Sequence, residues 1–221
     1  MKKILAVVLA RGGSKRIPGK NLIQLGQKPL ISWTIDFARR SRLFHEVIVS
    51  TDSEAIAEVA RGSGALVPWL RPQDLSSDEA KSEPAILHAL NWFEAEHYPV
   101  DGVMLLQPTS PFRNYETIYK ALELFEIHPN SAIVSTLRPQ SNLEAKELGK
   151  FEFLSGEPSV SIKPNGNFYL FSPKYIRATE TILKGDVVFL PSIDYREDID
   201  IDTLDDLELA RHIQRQNVDF A

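Results

Sequence analysis

The 221-residue chain contains no cysteine, which excludes disulfides, thiolate zinc sites and a thiol nucleophile. No apolar run reaches the roughly 18 residues that suggest a membrane span. Met1-Lys2-Lys3 opens like an export signal. The apolar stretch behind it, however, ends in Arg11-Gly12-Gly13 without a small-residue cleavage pattern, so a cytoplasmic protein without a membrane partner is expected. An excess of positive charge is also lacking. The formal net charge of -5 argues against nucleic acid as a partner, since such proteins carry a basic footprint. His45, His88, His97, His128 and His212 occur singly with no H-x-x-x-H spacing, so each reads as a packing or surface residue rather than a metal ligand. There is no G-x-S-x-G elbow of a serine hydrolase. The common nucleotide motifs G-x-x-x-x-G-K-[ST] and G-x-G-x-x-G are missing as well.

What is present is unevenly charged. Residues 11–20 hold four bases, Arg11, Lys15, Arg16 and Lys20, and no acid. Residues 194–208 hold eight acids and one base. The basic loop runs from Arg11 to Asn21 directly behind the apolar run Ile4–Ala10. Its glycines, Gly12, Gly13 and Gly19, let main-chain amides approach an anion closely. A polyphosphate is the natural ligand for such a loop. A nucleotide-plus-metal site needs opposite charges of this kind, although two solvated loops would account for them too.

With 43% apolar residues the chain can bury a substantial core, and one domain spanning 1–221 is expected. Ile4–Ala10 reads as a central strand, Pro29–Arg40 as a helix, Val47–Ser50 as a strand and Glu54–Gly62 as a helix capped by Thr51-Asp52-Ser53. Ala65–Pro68 predicts a short third strand. Helix Ser82–Glu96, strand Gly102–Leu106, helix Asn114–His128 and strand Ser131–Thr136 follow. Residues 137–166 break the rhythm and predict a small excursion or hairpin arm. Strands Asn167–Phe171 and Val187–Leu190, an extended Ile199–Ile201 and helix Leu204–Gln216 close the chain. Strands alternating with helices indicate an α/β fold with a mainly parallel sheet.

In open α/β sheets ligands bind beyond the carboxyl ends of the strands. The loops there are the basic loop, Ser50-Thr51-Asp52, Trp69-Leu70-Arg71-Pro72 and Gln107-Pro108-Thr109-Ser110-Pro111-Phe112-Arg113. Asp198, Asp200 and Asp202 alternate, so on an extended strand they share one face with Ile199 and Ile201 turned inward. Crowded carboxylates of this kind suit magnesium, which takes hard oxygen ligands together with substrate phosphates. A charged surface strand with Asp202 as a helix cap would show the same pattern. Tyr169 alternates onto the face opposite Phe168, so one of the two is free to line a site.

Six ordered blocks resemble the acylneuraminate cytidylyltransferases, the CMP-sialic acid synthetases, together with their legionaminic and pseudaminic acid relatives. The blocks are Ala10 to Asn21, Ile48-Val49-Ser50-Thr51-Asp52, Leu70-Arg71-Pro72, Leu106 to Pro111, Pro164-Asn165-Gly166 and Asp198 to Thr203. The resemblance implies a Rossmann-like three-layer nucleotidyltransferase fold that couples CTP to an acidic nine-carbon α-keto sugar. The anomeric hydroxyl attacks the α-phosphate and diphosphate leaves. By similarity, Arg11, Gly12, Ser14, Lys15, Lys20 and Asn21 hold the triphosphate, with Arg71 and Ser82 near the cytosine. Gln107, Lys163, Asn165 and Tyr169 lie toward the sugar, and Asp200 and Asp202 bind Mg2+. Arg11, Lys20 and Asp200 are the catalytic candidates. The resemblance also implies a homodimer in which the 137–166 excursion reaches the partner. A nucleotidyltransferase for another sugar, or a nucleotide-binding module without catalysis, are the alternatives.

Overall fold

The computed structural model describes residues 2–138 and 162–216. In β1 (Ile4–Leu9) successive side chains enter opposite cores: Ile4, Ala6 and Val8 on one face, Leu5 and Val7 on the other. A strand covered on both faces has to be apolar throughout. Each fully buried leucine or isoleucine stabilises the fold by roughly 1.5–3 kcal/mol. A short hairpin, β2 (Gln24–Leu25) and β3 (Lys28–Pro29), leads into α1 (Leu30–Ser41). β4 (Glu46–Ser50) follows, and Ser53 caps α2 (Glu54–Gly62) by accepting from the Ile56 amide. Then come α3 (Ser82–Glu96), β5 (Gly102–Leu105) and α4 (Tyr115–Ile127), the last capped by the Asn114 side chain. β6 (Ala132–Thr136), β7 (Pro164–Phe171), α5 (Pro173–Thr179), β8 (Val187–Pro191) and α6 (Leu204–Gln216) complete the described elements.

The six-stranded sheet has the order β4-β1-β5-β7-β6-β8. β1 pairs parallel with β4 and β5, and β6 pairs parallel with β8. β7 runs antiparallel between β5 and β6, so the sheet is mainly parallel, as expected. One face packs against α1, α2 and α4, the other against α3 and α5. A third apolar cluster joins α6 to the hairpin and to Ile17, Phe112 and Ile201. It holds the basic loop, the segment after β5 and the acidic segment together.

One expected strand does not form, and one expected extended segment pairs with no strand. Ala65–Pro68 reduces to a single bridge between Leu66 and Ile48. Pro68 has no amide to continue the ladder. Ile199–Ile201 follows a 3-10 turn, Tyr195–Asp198, and belongs to no strand. Asp194 and Glu197 form a capping box there, and such local side-chain bonds compete with strand pairing. α5 and the β2–β3 hairpin were not expected from the sequence. Most of the 137–166 excursion falls outside the described residues.

Candidate active site

The basic loop is folded back on itself by bonds that leave its cations projecting. Gly19 sits at φ 65, a left-handed conformation that a side chain would strain, and starts the turn Lys20–Leu22. The Asn21 amide donates to the Arg11 carbonyl at 3.0 Å. The Gly12 N–H donates to Asp52 Oδ1 at 2.7 Å, fastening the loop to the end of β4. Arg11 and Lys15 both pair with Asp78, at 2.8 and 2.7 Å, and Arg11 also donates to the Ser77 carbonyl. All three side chains of this ion cluster are solvent-accessible, so its pairs exchange readily.

Lys20 points the other way. Its Nζ donates to Asp202 Oδ1 at 2.8 Å and to the Ile201 carbonyl at 2.9 Å, and its side chain is only 13% exposed. Arg16 takes the second Asp202 oxygen at 2.7 Å. Burial works to raise the Asp202 carboxyl, but Lys20 and Arg16 outweigh it and hold the group below the usual range. Asp200 is the opposite case. Burial pushes its carboxyl up, with Asp202 adding repulsion against the hydrogen bond from Thr109. Its Oδ1 is buried without a hydrogen-bond partner. The Ile201 N–H donates to the Thr109 carbonyl at 2.8 Å, which holds this segment against the end of β5.

These parts surround one cavity of about 500 Å³ at the carboxyl ends of β1 and β5. Its wall includes Arg11, Ser14, Lys15, Lys20, Asn21, Gln107, Asp200 and Asp202. Thus eight of the sequence-predicted site residues meet, from three separate stretches of chain. The other six do not line it. Gly12 spends its amide on Asp52. Arg71 is buried, with its Nε donating to Ser76 and its main-chain N–H to the Thr51 carbonyl. Burial lowers its guanidinium, which also feels Asp52 and Arg11. Ser82 is exposed at the start of α3. Lys163 is exposed, and its carbonyl accepts from the Leu137 N–H. Asn165 is buried, and its amide donates to the Thr136 carbonyl and to Asp198. Tyr169 packs against the core on the α3 side, opposite Phe168. Burial raises its hydroxyl, and the nearby charge of Asp200 raises it further.

Asp200 and Asp202 share the cavity face with Ile201 buried behind them, as alternation predicts, but Asp198 does not join them. Asp198 ends the 3-10 turn and turns to Ser192 at 2.5 Å, Asn165 at 3.2 Å and Arg138 at 3.4 Å. Only Asp200 and Asp202 reach the cavity. No group of three or more metal-binding side chains occurs among the described residues. A magnesium ion completed by substrate phosphates needs only one or two carboxylates, however. The partnerless Asp200 oxygen beside Asp202 fits that donor set.

Arg16 and Thr109 also line the wall; sequence reasoning counted Arg16 only among the bases of the loop and Thr109 only among the residues after Leu106, with no individual role for either. A buried polar network behind the wall was also missed. Arg113 bonds to Gln107, Thr34 and Asn167, while Glu197 bonds to Thr117 and Asn167. Burial brings the Arg113 guanidinium down to about 9 against the opposing pull of Glu197 and Asp200, so it remains charged at neutral pH. Arg113 is a lone charge behind the proline-rich run 107–112, which was the available signal, whereas Glu197 is one of eight acids in 194–208 and nothing in the sequence sets it apart.

Residues 5–151 match the profile of a family described as cytidylyltransferase. The chain belongs to the cytidylyltransferase family. It is 39% identical over 227 residues to the CMP-N,N'-diacetyllegionaminic acid synthase of Legionella pneumophila, covering 97% of each chain. It is 33% identical to the N-acylneuraminate cytidylyltransferase of Escherichia coli, covering 99% of this chain and 54% of that longer one. A solved CMP:2-keto-3-deoxy-manno-octonic acid synthetase in complex with CTP superposes with a TM-score of 0.73 at 17% identity, covering 97% of this chain and 99% of that one. At that identity the likeness shows the fold. The cytidylyltransferase has no helix long and apolar enough to cross a membrane among its described residues.

Proposed function

We propose that the chain transfers a cytidylyl group from CTP to the anomeric hydroxyl of an acidic nine-carbon α-keto sugar of the legionaminic or sialic acid type. The observation that carries this reading is the single cavity in which Arg11, Lys15 and Lys20 face Asp200, Asp202 and Gln107. The hydroxyl oxygen bonds to the α-phosphorus, the bond from that phosphorus to the bridging oxygen breaks, and diphosphate leaves with the electron pair. The phosphates repel the incoming oxygen until their charge is neutralised, which is the task of the loop cations. Asp200 and Asp202 are the only carboxylates among the described residues lining the cavity. Asp202 is engaged by Lys20 and Arg16, which leaves Asp200 to accept the hydroxyl proton. Asp200 and Asp202 would hold Mg2+, which when bound adds positive charge beside the phosphates. Gln107 sets the sugar end, and Arg71 lies toward the base. The chain acts as a homodimer in this reading, with a mass near twice 24.9 kDa in sedimentation as the expected result.

The test is diphosphate release from CTP with magnesium across N,N'-diacetyllegionaminic, N-acetylneuraminic, pseudaminic and 2-keto-3-deoxy-manno-octonic acids. Turnover with one of the first two is expected. Nucleotide binding without release with any acid would favour the non-catalytic alternative. Turnover of UTP or GTP with a neutral sugar would move the chain to another nucleotidyltransferase class.

Asp78 occupies two of the three cations assigned to the triphosphate. Asp78→Asn should therefore tighten CTP binding, by a few-fold at most because the displaced pairs are exposed and screened. Calorimetry at low and moderate salt checks this, and weaker binding would place Asp78 among the nucleotide's own contacts.

A further inference from the structure

The residue assigned to the sugar, Gln107, is held from two directions by residues that do not line the cavity. Arg113 is buried beneath the segment that follows β5. Its Nη2 donates to the Gln107 carbonyl at 2.7 Å, its Nη1 to Thr34 Oγ1 at 2.8 Å and its Nε to the Asn167 carbonyl at 3.0 Å. One planar fork thus ties Gln107 to α1 and to β7. Lysine carries its three N–H donors on one nitrogen and cannot reach acceptors spread over three elements in this way. The second restraint lies one residue before Asn167. Gly166 has φ +76, and a Cβ added there would collide with Gln107 Oε1 and crowd Ser110 Oγ at 3.1 Å. The Gln107 amide therefore rests on bare backbone. Neither residue has a role in the phosphate chemistry, and both restraints converge on adjacent residues of β7.

We propose that Arg113 and Gly166 are positioning residues for Gln107: Arg113 clamps its main chain, and the missing side chain at Gly166 leaves the space its amide occupies. The proposal rests on the reading of Gln107 as the sugar contact. An amide held this way presents one fixed donor and acceptor to the substrate, without the rotamer freedom that glutamine has on an open loop. Releasing either restraint should cost sugar recognition and leave CTP binding alone, since the basic loop shares none of these bonds.

The experiment is a pair of double-mutant cycles, Gly166→Ala with Gln107→Ala and Arg113→Lys with Gln107→Ala. KM is measured for N,N'-diacetyllegionaminic acid, and CTP affinity by calorimetry. Gln107→Ala should raise the sugar KM about tenfold, the scale of one buried hydrogen bond. Gly166→Ala and Arg113→Lys should each approach that loss, with CTP affinity unchanged. Combined with Gln107→Ala, either should add less than about twofold, because the group it positions is already gone. Losses that multiply in the double variants would overturn the proposal, since they report general damage. An unchanged sugar KM for Gln107→Ala would sink the sugar-contact reading itself, and the positioning roles with it. Crystallography of Gly166→Ala gives a check that does not depend on the choice of sugar: Gln107 must leave its place over residue 166, and an unmoved side chain would refute the assignment. If strain at φ +76 prevents that variant from folding, the Arg113→Lys cycle decides alone.

Discussion

Asp200→Asn should abolish most magnesium-dependent turnover while leaving the fold at least as stable as before. The loss expected in kcat is at least about 100-fold, the scale of one strong electrostatic contact to the transition state. An amide supplies an oxygen without charge, so it serves poorly as a ligand for a hard cation and not at all as a proton acceptor. Stability should move the other way, because the native site burdens this group. Burial raises its carboxyl, and Oδ1 has no hydrogen-bond partner. The native state therefore binds this proton more tightly than the unfolded chain does. On this account wild-type stability falls as pH rises above the ordinary carboxylate range, and the asparagine variant lacks that slope. CTP binding to metal-free protein should survive, since every loop cation remains and one negative charge has gone. Asp198→Asn should leave the magnesium dependence of turnover unchanged, because Asp198 faces Ser192 and Asn165 rather than the cavity. Turnover against magnesium concentration, with thermal melts of each variant, tests this. If Asp198→Asn proves the more damaging, or Asp200→Asn titrates with magnesium like wild type, the metal assignment is wrong.

Lys20→Ala is expected to lower kcat/KM by at least about 100-fold as well, for a different reason. Lys20 is the least exposed cation of the loop, at 13%, so its charge is the least screened when phosphate enters. It also neutralises Asp202. Removing it leaves that carboxylate with only the exposed Arg16, facing an incoming polyanion. Arg16→Ala should be far milder, because Arg16 is 63% exposed and Lys20 would still hold Asp202. Arg11→Ala should resemble Lys20→Ala in kcat/KM, because its proposed partner is the triphosphate rather than Asp78. Steady-state diphosphate release for the three variants orders these effects. Near-wild-type kinetics for Lys20→Ala and Arg11→Ala would remove the loop from the chemistry.

The order of elements was legible because periodicity and caps are local. α3 and α6 begin and end where the apolar spacing predicts, and Ser53 and Asn114 cap the helices they precede. The failures have local causes too. Pro68 left a bridge where a strand was expected, and the capping box of Asp194 and Glu197 wound a turn that ends at Asp198, just before the extended residues begin. Alternation therefore holds for Asp200 and Asp202 and fails for Asp198. Part of the excursion assigned to dimer contacts, including Leu143, Phe151 and Phe153, lies outside the described residues.

By itself the sequence determined the class of chemistry. Four bases without an acid on a glycine-rich loop, and alternating aspartates in a distant segment, point to a polyphosphate with or without a cation, and six ordered blocks point to the cytidylyltransferases. Residue type and spacing carry that information because charge and backbone freedom belong to the residues themselves. Only the tertiary structure decided which of these groups act together. It joined Lys20 to Asp202, and it separated Asp198, Asn165 and Lys163 from the cavity wall. It also placed Arg113 and Gly166 on either side of Gln107. Lys20 and Asp202 are 182 residues apart, and Arg113 reaches Gln107 only because Thr34 and Asn167, 79 and 54 residues away, fix its fork, so these pairings depend on sheet order and on burial, which no local stretch of chain records.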